Sequence, residues 1–343
     1  MRKAINRFIW VFMKNFFRFL LKGFLSTCGL SVGVIGALSV IFILFSLFLG
    51  SGDTALFVNL PNAQGEVQEL GKTSPILAVI EINDTIMSSN GAAKRLQSAL
   101  QRLNEAPYKG RVKGLLIKMD CPGGEIFEVD RMSATLAFWK KQLEIPVHVF
   151  VSGLCASGGY HVACVADRIG TTSSALIGSI GVRSGPYFNV KEGLQRHGVE
   201  TAILTAGKDK APLNPFSPWT EEEYAERQAI VDAFYEQFVD HVVKHRPQLS
   251  KDRVTQVLGA RVFIAKQALE EGLVDAINLT QEQALEDLAE VCEAKETYRV
   301  IGLSSGHFLR RFSCCLSNSP LVTGKFQWTV LPDQQQKSLW YMD

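Results

Sequence analysis

The sequence predicts an α/β protein with a mainly parallel sheet, preceded by one membrane-spanning helix. Two observations carry this. Apolar runs of strand length alternate with segments of helical period from Pro75 onward, and no charged residue occurs from Gly23 to Gly52. Strands separated by helices of this length build βαβ units and a parallel sheet. The uncharged stretch exceeds the roughly 20 apolar residues that cross a bilayer, and it places a transmembrane helix at 29–50. A cleaved signal peptide is the competing reading, but its apolar core usually spans only about 7 to 15 residues.

Residues 1–28 contain Arg2, Lys3, Arg7, Lys14, Arg18 and Lys22 and no acidic residue. The positive-inside rule then puts this basic N-terminus in the cytoplasm and the body across the inner membrane, on the periplasmic or extracytoplasmic side. All 34 acidic residues follow position 52, where they outnumber the remaining basic ones, so a nucleic-acid-binding body is not expected. Seven cysteines, at 28, 121, 155, 164, 292, 314 and 315, are odd in number and lack zinc-ligand spacing. No disulfide framework, metal or cofactor is expected, and Cys155 and Cys164 read as small buried hydrophobes.

Residues 51–75 are turn-rich and read as a linker. The body follows at 76–303. "ILAVIEI" is a strand, "GAAKRLQSALQRLNEA" a helix, "VKGLLIKMD" a strand, and 127–142 a helix. "PVHVFVSG" is the next strand, followed by a helix from Ser157, a strand at "ADRIGTT", a helix at 190–197 and a strand at "VETAILTA". After Pro218 the character changes. Thr220 and Glu223 form a capping box, and Tyr224, Ile230, Phe234, Phe238 and Val242 recur at helical spacing, giving a long helix to about His245. Shorter helices are expected at 250–258, 264–271 and 280–296, and the tail at 304–343 has no clear period.

Two glycine-rich turns follow predicted strands, "DCPGG" at 120–124 and "ASGGY" at 156–160. A serine at a strand-to-helix turn presents its hydroxyl beside free backbone N–H groups, which can hold a developing oxyanion; Gly124 and Gly158 are the candidate donors. A serine hydroxyl needs a base before it becomes a nucleophile. His161 would lie one helical turn after Ser157, but no Asp or Glu stands in an obvious orienting position beside it in the sequence, and it reads as a packing residue. Lysine is the alternative, because burial can lower its pKa by up to about 3 to 5 units. "TAGKDKAPLNPF" offers Lys208 and Lys210.

"DCPGG", "CASGGY", "IGSIGV", "GKDKAPLNPF" and "ARVFIAKQALEEGLVDAI", in this order after one membrane span, resemble the signal peptide peptidase SppA and SohB family of membrane-bound serine proteases. The resemblance covers about residues 76–277. It implies Ser157 as nucleophile, Lys210 rather than Lys208 as general base, Ser179 of "GSIG" as the residue orienting the lysine, and Gly124 with Gly158 as the oxyanion hole. It also implies a crotonase/Clp-protease-like spiral of βαβ units and a homo-oligomer enclosing its sites, in which neighbouring protomers can complete the dyad. The implied substrates are peptides or unfolded proteins, namely remnant signal peptides and misfolded membrane or secreted proteins. The family commonly has a small polar residue where Cys121 stands and an aromatic where His161 stands. Two other readings compete: a crotonase-type acyl-CoA enzyme, opposed by the membrane span and the Ser157, Ser179 and Lys210 set, and a catalytically inactive membrane scaffold.

Overall fold

In the computed structural model the described residues are Lys14, Asn15, Arg18 and 56–68, 74–207, 210–294 and 298–304. The expected membrane helix at 29–50 and the tail after 304 lie outside them. Among the described residues no helix is long and apolar enough to cross a membrane. The chain divides into two units, Met1–Thr54 and Ala55–Asp343. In the first, Lys14, Asn15 and Arg18 are helical and exposed. Everything below concerns the second.

Its elements, in chain order, begin with β1 (Leu56–Leu60), inside the segment expected as a linker, and β2 (Ile76–Ile82). Then come α1 (Ala92–Leu103), β3 (Val112–Cys121), α2 (Ile126–Leu143), β4 (Val147–Ala156) and the short α3 (Gly158–Ala163). Strands β5 (Arg168–Thr171) and β6 (Leu176–Gly178) precede α4 (Lys191–Arg196) and the long α5 (Glu221–His245). After a π-helical turn at Arg253–Leu258, the chain ends in β7 (Val262–Ile264), α6 (Ala265–Glu270), α7 (Gln281–Val291) and β8 (Arg299–Ser304).

The strands form one sheet in the order β1-β8-β2-β3-β4-β6-β7, with β5 also paired to β4. From β8 through β6 the pairings are parallel, and β1 and β7 close the two edges antiparallel. The expected α/β architecture with a mainly parallel sheet is present. Successive residues of β2 show why its strands read as unbroken apolar runs. Ala78, Ile80 and Ile82 pack with Leu96 and Leu100 of α1 and Met132 and Leu136 of α2. Leu77 and Val79 face the other way, against Leu285 and Leu288 of α7. Both faces are covered, so both sets of side chains are apolar. Burying each such side chain stabilises the fold by about 1.5 to 3 kcal/mol.

The capping box predicted for α5 is formed: the Glu223 N–H donates to the Thr220 hydroxyl at 3.2 Å, and the Thr220 N–H donates to Glu223 Oε2 at 2.9 Å. Thr280 and Gln283 start α7 in the same way. Of the aromatic and aliphatic stripe on α5, Phe238 and Val242 are buried whereas Tyr224 and Ile230 are exposed. The segment "VETAILTA", expected as a strand, has no regular structure, and Leu204 within it is 99% exposed. Its β-branched residues favour a pleated surface but find no neighbouring strand with which to form a ladder.

Candidate active site

Ser157 stands between β4 and α3 with φ 52 and ψ −123, a conformation uncommon for any residue with a side chain. The junction is held on both sides. The Ser157 N–H donates to the Gly178 carbonyl at 2.8 Å, and its carbonyl accepts from the His161 N–H at 3.0 Å, closing the first turn of α3. A strained strand-to-helix turn of this kind lifts the serine Oγ out of the sheet edge, where a substrate can reach it. Three residues on, Tyr160 is fully buried and its hydroxyl donates to the Leu273 carbonyl at 2.9 Å, which anchors α3 to a distant segment.

The loop after β3 is pressed against this turn. A Cβ on Gly123, which has φ +106, would sit 2.8 Å from both the Gly158 nitrogen and Ser157 Cβ. One on Gly124 would sit 1.8 Å from the Ile86 carbonyl oxygen, so that position admits no side chain. The Ile86 N–H donates to Gly123 and the Ile86 carbonyl accepts from Glu125 N–H, both at 2.8 Å. These bonds flank Gly124 and leave its own N–H unspent. Among the described residues, no backbone carbonyl accepts from the N–H of Gly124 or of Gly158. Cys121 supports the loop from below: its fully buried thiol donates to the Asp84 carbonyl at 3.1 Å and accepts from the Gly123 N–H at 3.4 Å. Burial pushes this thiol's pKa up, so it stays protonated and able to donate.

Ser157, Gly123, Gly124, Gly158 and Ser179 line one cavity of about 770 Å³. Ser179 follows β6, also at a positive φ of 52, and its N–H donates to the Arg261 carbonyl at 2.7 Å. Four of the five predicted site residues are thus brought together. The fifth, Lys210, is exposed and does not line the cavity, and Lys208 is outside the described residues. A second cavity of about 830 Å³, bordered by Lys140, His148, Arg168 and His245, contains none of them.

His161 also lines the cavity, and the fold gives it the carboxylate that the sequence did not reveal: Asp130 Oδ1 lies 3.6 Å from its Nε2. Ser133 Oγ is 2.8 Å from Nδ1. Both ring nitrogens therefore face α2. The ring stacks on His241 with centroids 3.7 Å apart and touches Phe238 at 5.1 Å, the packing role expected of it. Burial, reinforced by His241 and His245, pushes its pKa down to about 3. Sequence reasoning missed Asp130. The available signal was its place in the second turn of the helix that directly follows the "PGG" loop.

Residues 139–295 match peptidase family S49. The protein named for signal peptide peptidase SppA in Enterococcus faecium is 34% identical over 56% of this chain and 55% of its own. The slr0021 protein of Synechocystis is 32% identical over 62% of this chain and 74% of its own. The solved ClpP protease catalytic domain from Plasmodium falciparum has a TM-score of 0.38 and 12% identity, covering 59% of this chain and 86% of that one. The chain spans little more than half the length of curated relatives at 34% identity, 59% and 55% of them. With a family match that includes Ser157 and Ser179, and a relative at 32% identity covered over 74% of its length, the chain belongs to peptidase family S49.

Proposed function

We propose that the chain is a membrane-anchored serine endopeptidase that works through a Ser157–Lys210 dyad. The observation that carries this reading is the strained Ser157 turn with the unspent N–H groups of Gly124 and Gly158 beside it in one cavity. Ser157 Oγ attacks a peptide carbonyl while the free amine of Lys210 takes the hydroxyl proton. The carbonyl oxygen becomes an oxyanion received by the two N–H donors. Lys210 then protonates the leaving amine, and water hydrolyses the acyl-enzyme by the same route in reverse. Ser179 orients the lysine amine.

Lys210 closes a segment, 182–207 and 210, that exposes Phe188, Ile203 and Leu204. Large apolar side chains exposed in this way call for a cover. We take the cover to be a second copy of the chain, whose Ser157 cavity receives Lys210. The spiral of βαβ units belongs to the same reading, as do a membrane anchor at 29–50 and an extracytoplasmic body. The substrates are extended peptides, including remnant signal peptides and unfolded membrane or secreted proteins.

The test is cleavage of casein and of a synthetic signal peptide by the full-length protein in detergent, comparing wild type, Ser157→Ala, Lys210→Ala and a refolded mixture of the two variants. Loss in each variant with partial recovery in the mixture is the expected result. Activity retained by Ser157→Ala overturns the nucleophile. Activity retained by Lys210→Ala but lost on His161→Phe transfers the base to the histidine.

A further inference from the structure

The cavity at Ser157 has a polar end that the dyad does not use. Asp130 of α2 and His161 of α3 meet there, as described, and the ring is neutral at any pH near 7. A carboxylate only accepts hydrogen bonds, so the ring proton belongs on Nε2, facing Asp130, while the Ser133 hydroxyl donates to Nδ1. At 3.6 Å the neutral ring lies beside the carboxylate without neutralising it. Among the described residues, no lysine or arginine nitrogen is within ion-pair distance of Asp130, whose side chain is 51% exposed. The other carboxylate of the cavity, Glu125, is already engaged by the N–H and hydroxyl of Ser88. The cavity that holds Ser157 and Asp130 is also lined by apolar side chains, Ile126 and Val129 of α2 and Phe234 and Phe238 of α5, with Gln237 of α5 beside them.

Apolar lining in the same cavity as a carboxylate without a cationic partner complements a side chain with an aliphatic stem and a cationic head. We propose that Asp130, beside neutral His161, makes this cavity a subsite for a substrate lysine or arginine near the scissile bond. The proposal rests on the reading of Ser157 as nucleophile, and it adds the substrate class. Arg183, which also lines the cavity but comes from the segment after β6, favours acidic side chains instead, so glutamate peptides are part of the test.

The experiment measures binding of matched peptides to full-length Ser157→Ala protein by titration calorimetry, with lysine, norleucine or glutamate at each of the four positions around the bond to be cleaved. Norleucine keeps the stem and lacks the charge. At one position lysine should bind about fivefold more tightly than norleucine, the scale of a half-exposed ion pair. Adding Asp130→Asn should erase that ratio, and Asp130→Lys should turn it toward glutamate. Ratios taken within one variant cancel differences in folded fraction. Equal affinities at every position, a preference for glutamate in the Asp130 protein, a lysine preference that survives Asp130→Asn, or no measurable binding of any peptide each overturn the subsite. The nucleophile is judged separately, by whether wild type cleaves these peptides and Ser157→Ala does not. Selective binding of lysine peptides without cleavage would keep the subsite and discard the nucleophile.

Discussion

The Ser157 turn and the segment leading to Lys210 are built in opposite ways. The turn is tied to the sheet and to Leu273 by backbone and side-chain hydrogen bonds, the glycine loop packs against it, and the helix it opens is buried. The segment from Val182 to Lys210 has the single short helix α4 and leaves large apolar side chains in solvent. One chain therefore prepares the electrophile-binding half of the proposed chemistry, and the proton-accepting half waits for something to pack against it. The largest effect should come from breaking either half. Ser157→Ala should lower kcat by about 10⁴-fold or more, since a nucleophile acts as part of a unit. Lys210→Ala should lower it by about 10² to 10⁴-fold, the usual reach of a general base. Initial rates on a fluorogenic peptide check both, and loss of wild-type activity on dilution below the assembly concentration would show that the second half comes from a neighbour.

The next effect tests whether the turn is as rigid as its contacts imply. Gly124→Ala puts a methyl against the Ile86 carbonyl, so the loop must shift and carry the Gly124 N–H away from the oxyanion position. Loss of one such donor costs about 10²-fold or more in kcat. KM should change far less, because the donor matters most when charge develops. A variant with unchanged kcat would mean that this N–H does not face the reacting carbonyl.

Acid sensitivity separates the two regions by stability instead of rate. His161 is buried and His241 half-buried where their rings stack, and desolvation lowers their pKa values to about 3 and about 4. Unfolded, each would titrate near 6.5. Between those values the unfolded chain binds more protons than the folded one, so stability is full above about pH 6.5 and falls as pH drops toward 4. Each histidine contributes a slope of up to about 1.4 kcal/mol per pH unit. Urea midpoints at pH 7, 6 and 5 read this directly. His161→Phe with His241→Phe should flatten the dependence, whereas an unchanged slope would assign it to other groups.

What the sequence could and could not reveal follows the same division. The long apolar runs of β2, β3 and β4, the capped start of α5 and the glycine loops are local signals, and each appears where its residues predict. The Ser157, Gly124, Gly158 and Ser179 set was legible through family motifs, and the fold gathers it in one cavity. Strands β6 and β7 have three residues each, too few to show a period, and β1 is a strand through its pairing with β8, which in turn lies beside β2. Asp130 was invisible for a related reason: its partner His161 lies on another helix, and only the packing of α2 on α3 joins them. "VETAILTA" failed in the opposite sense. A sound local pattern had no strand beside it, among the described residues, to complete a ladder.

The smallest effect concerns the anchor of α3. Tyr160 is fully buried and spends its hydroxyl on the Leu273 carbonyl. Tyr160→Phe keeps the ring and its packing but leaves that carbonyl without its donor, which costs about 1 kcal/mol. The same residue distinguishes an anchor from a bystander. If the bond only stabilises the fold, the melting temperature drops and kcat stays. If it sets the position of α3, and with it the Gly158 N–H two residues earlier, kcat falls as well while KM holds. The rigid turn described above predicts the second result, because α3 has only six residues and cannot absorb a shift at Tyr160 without passing it to Gly158. A drop in stability with kcat intact would mean that the turn is positioned by the sheet and glycine loop alone.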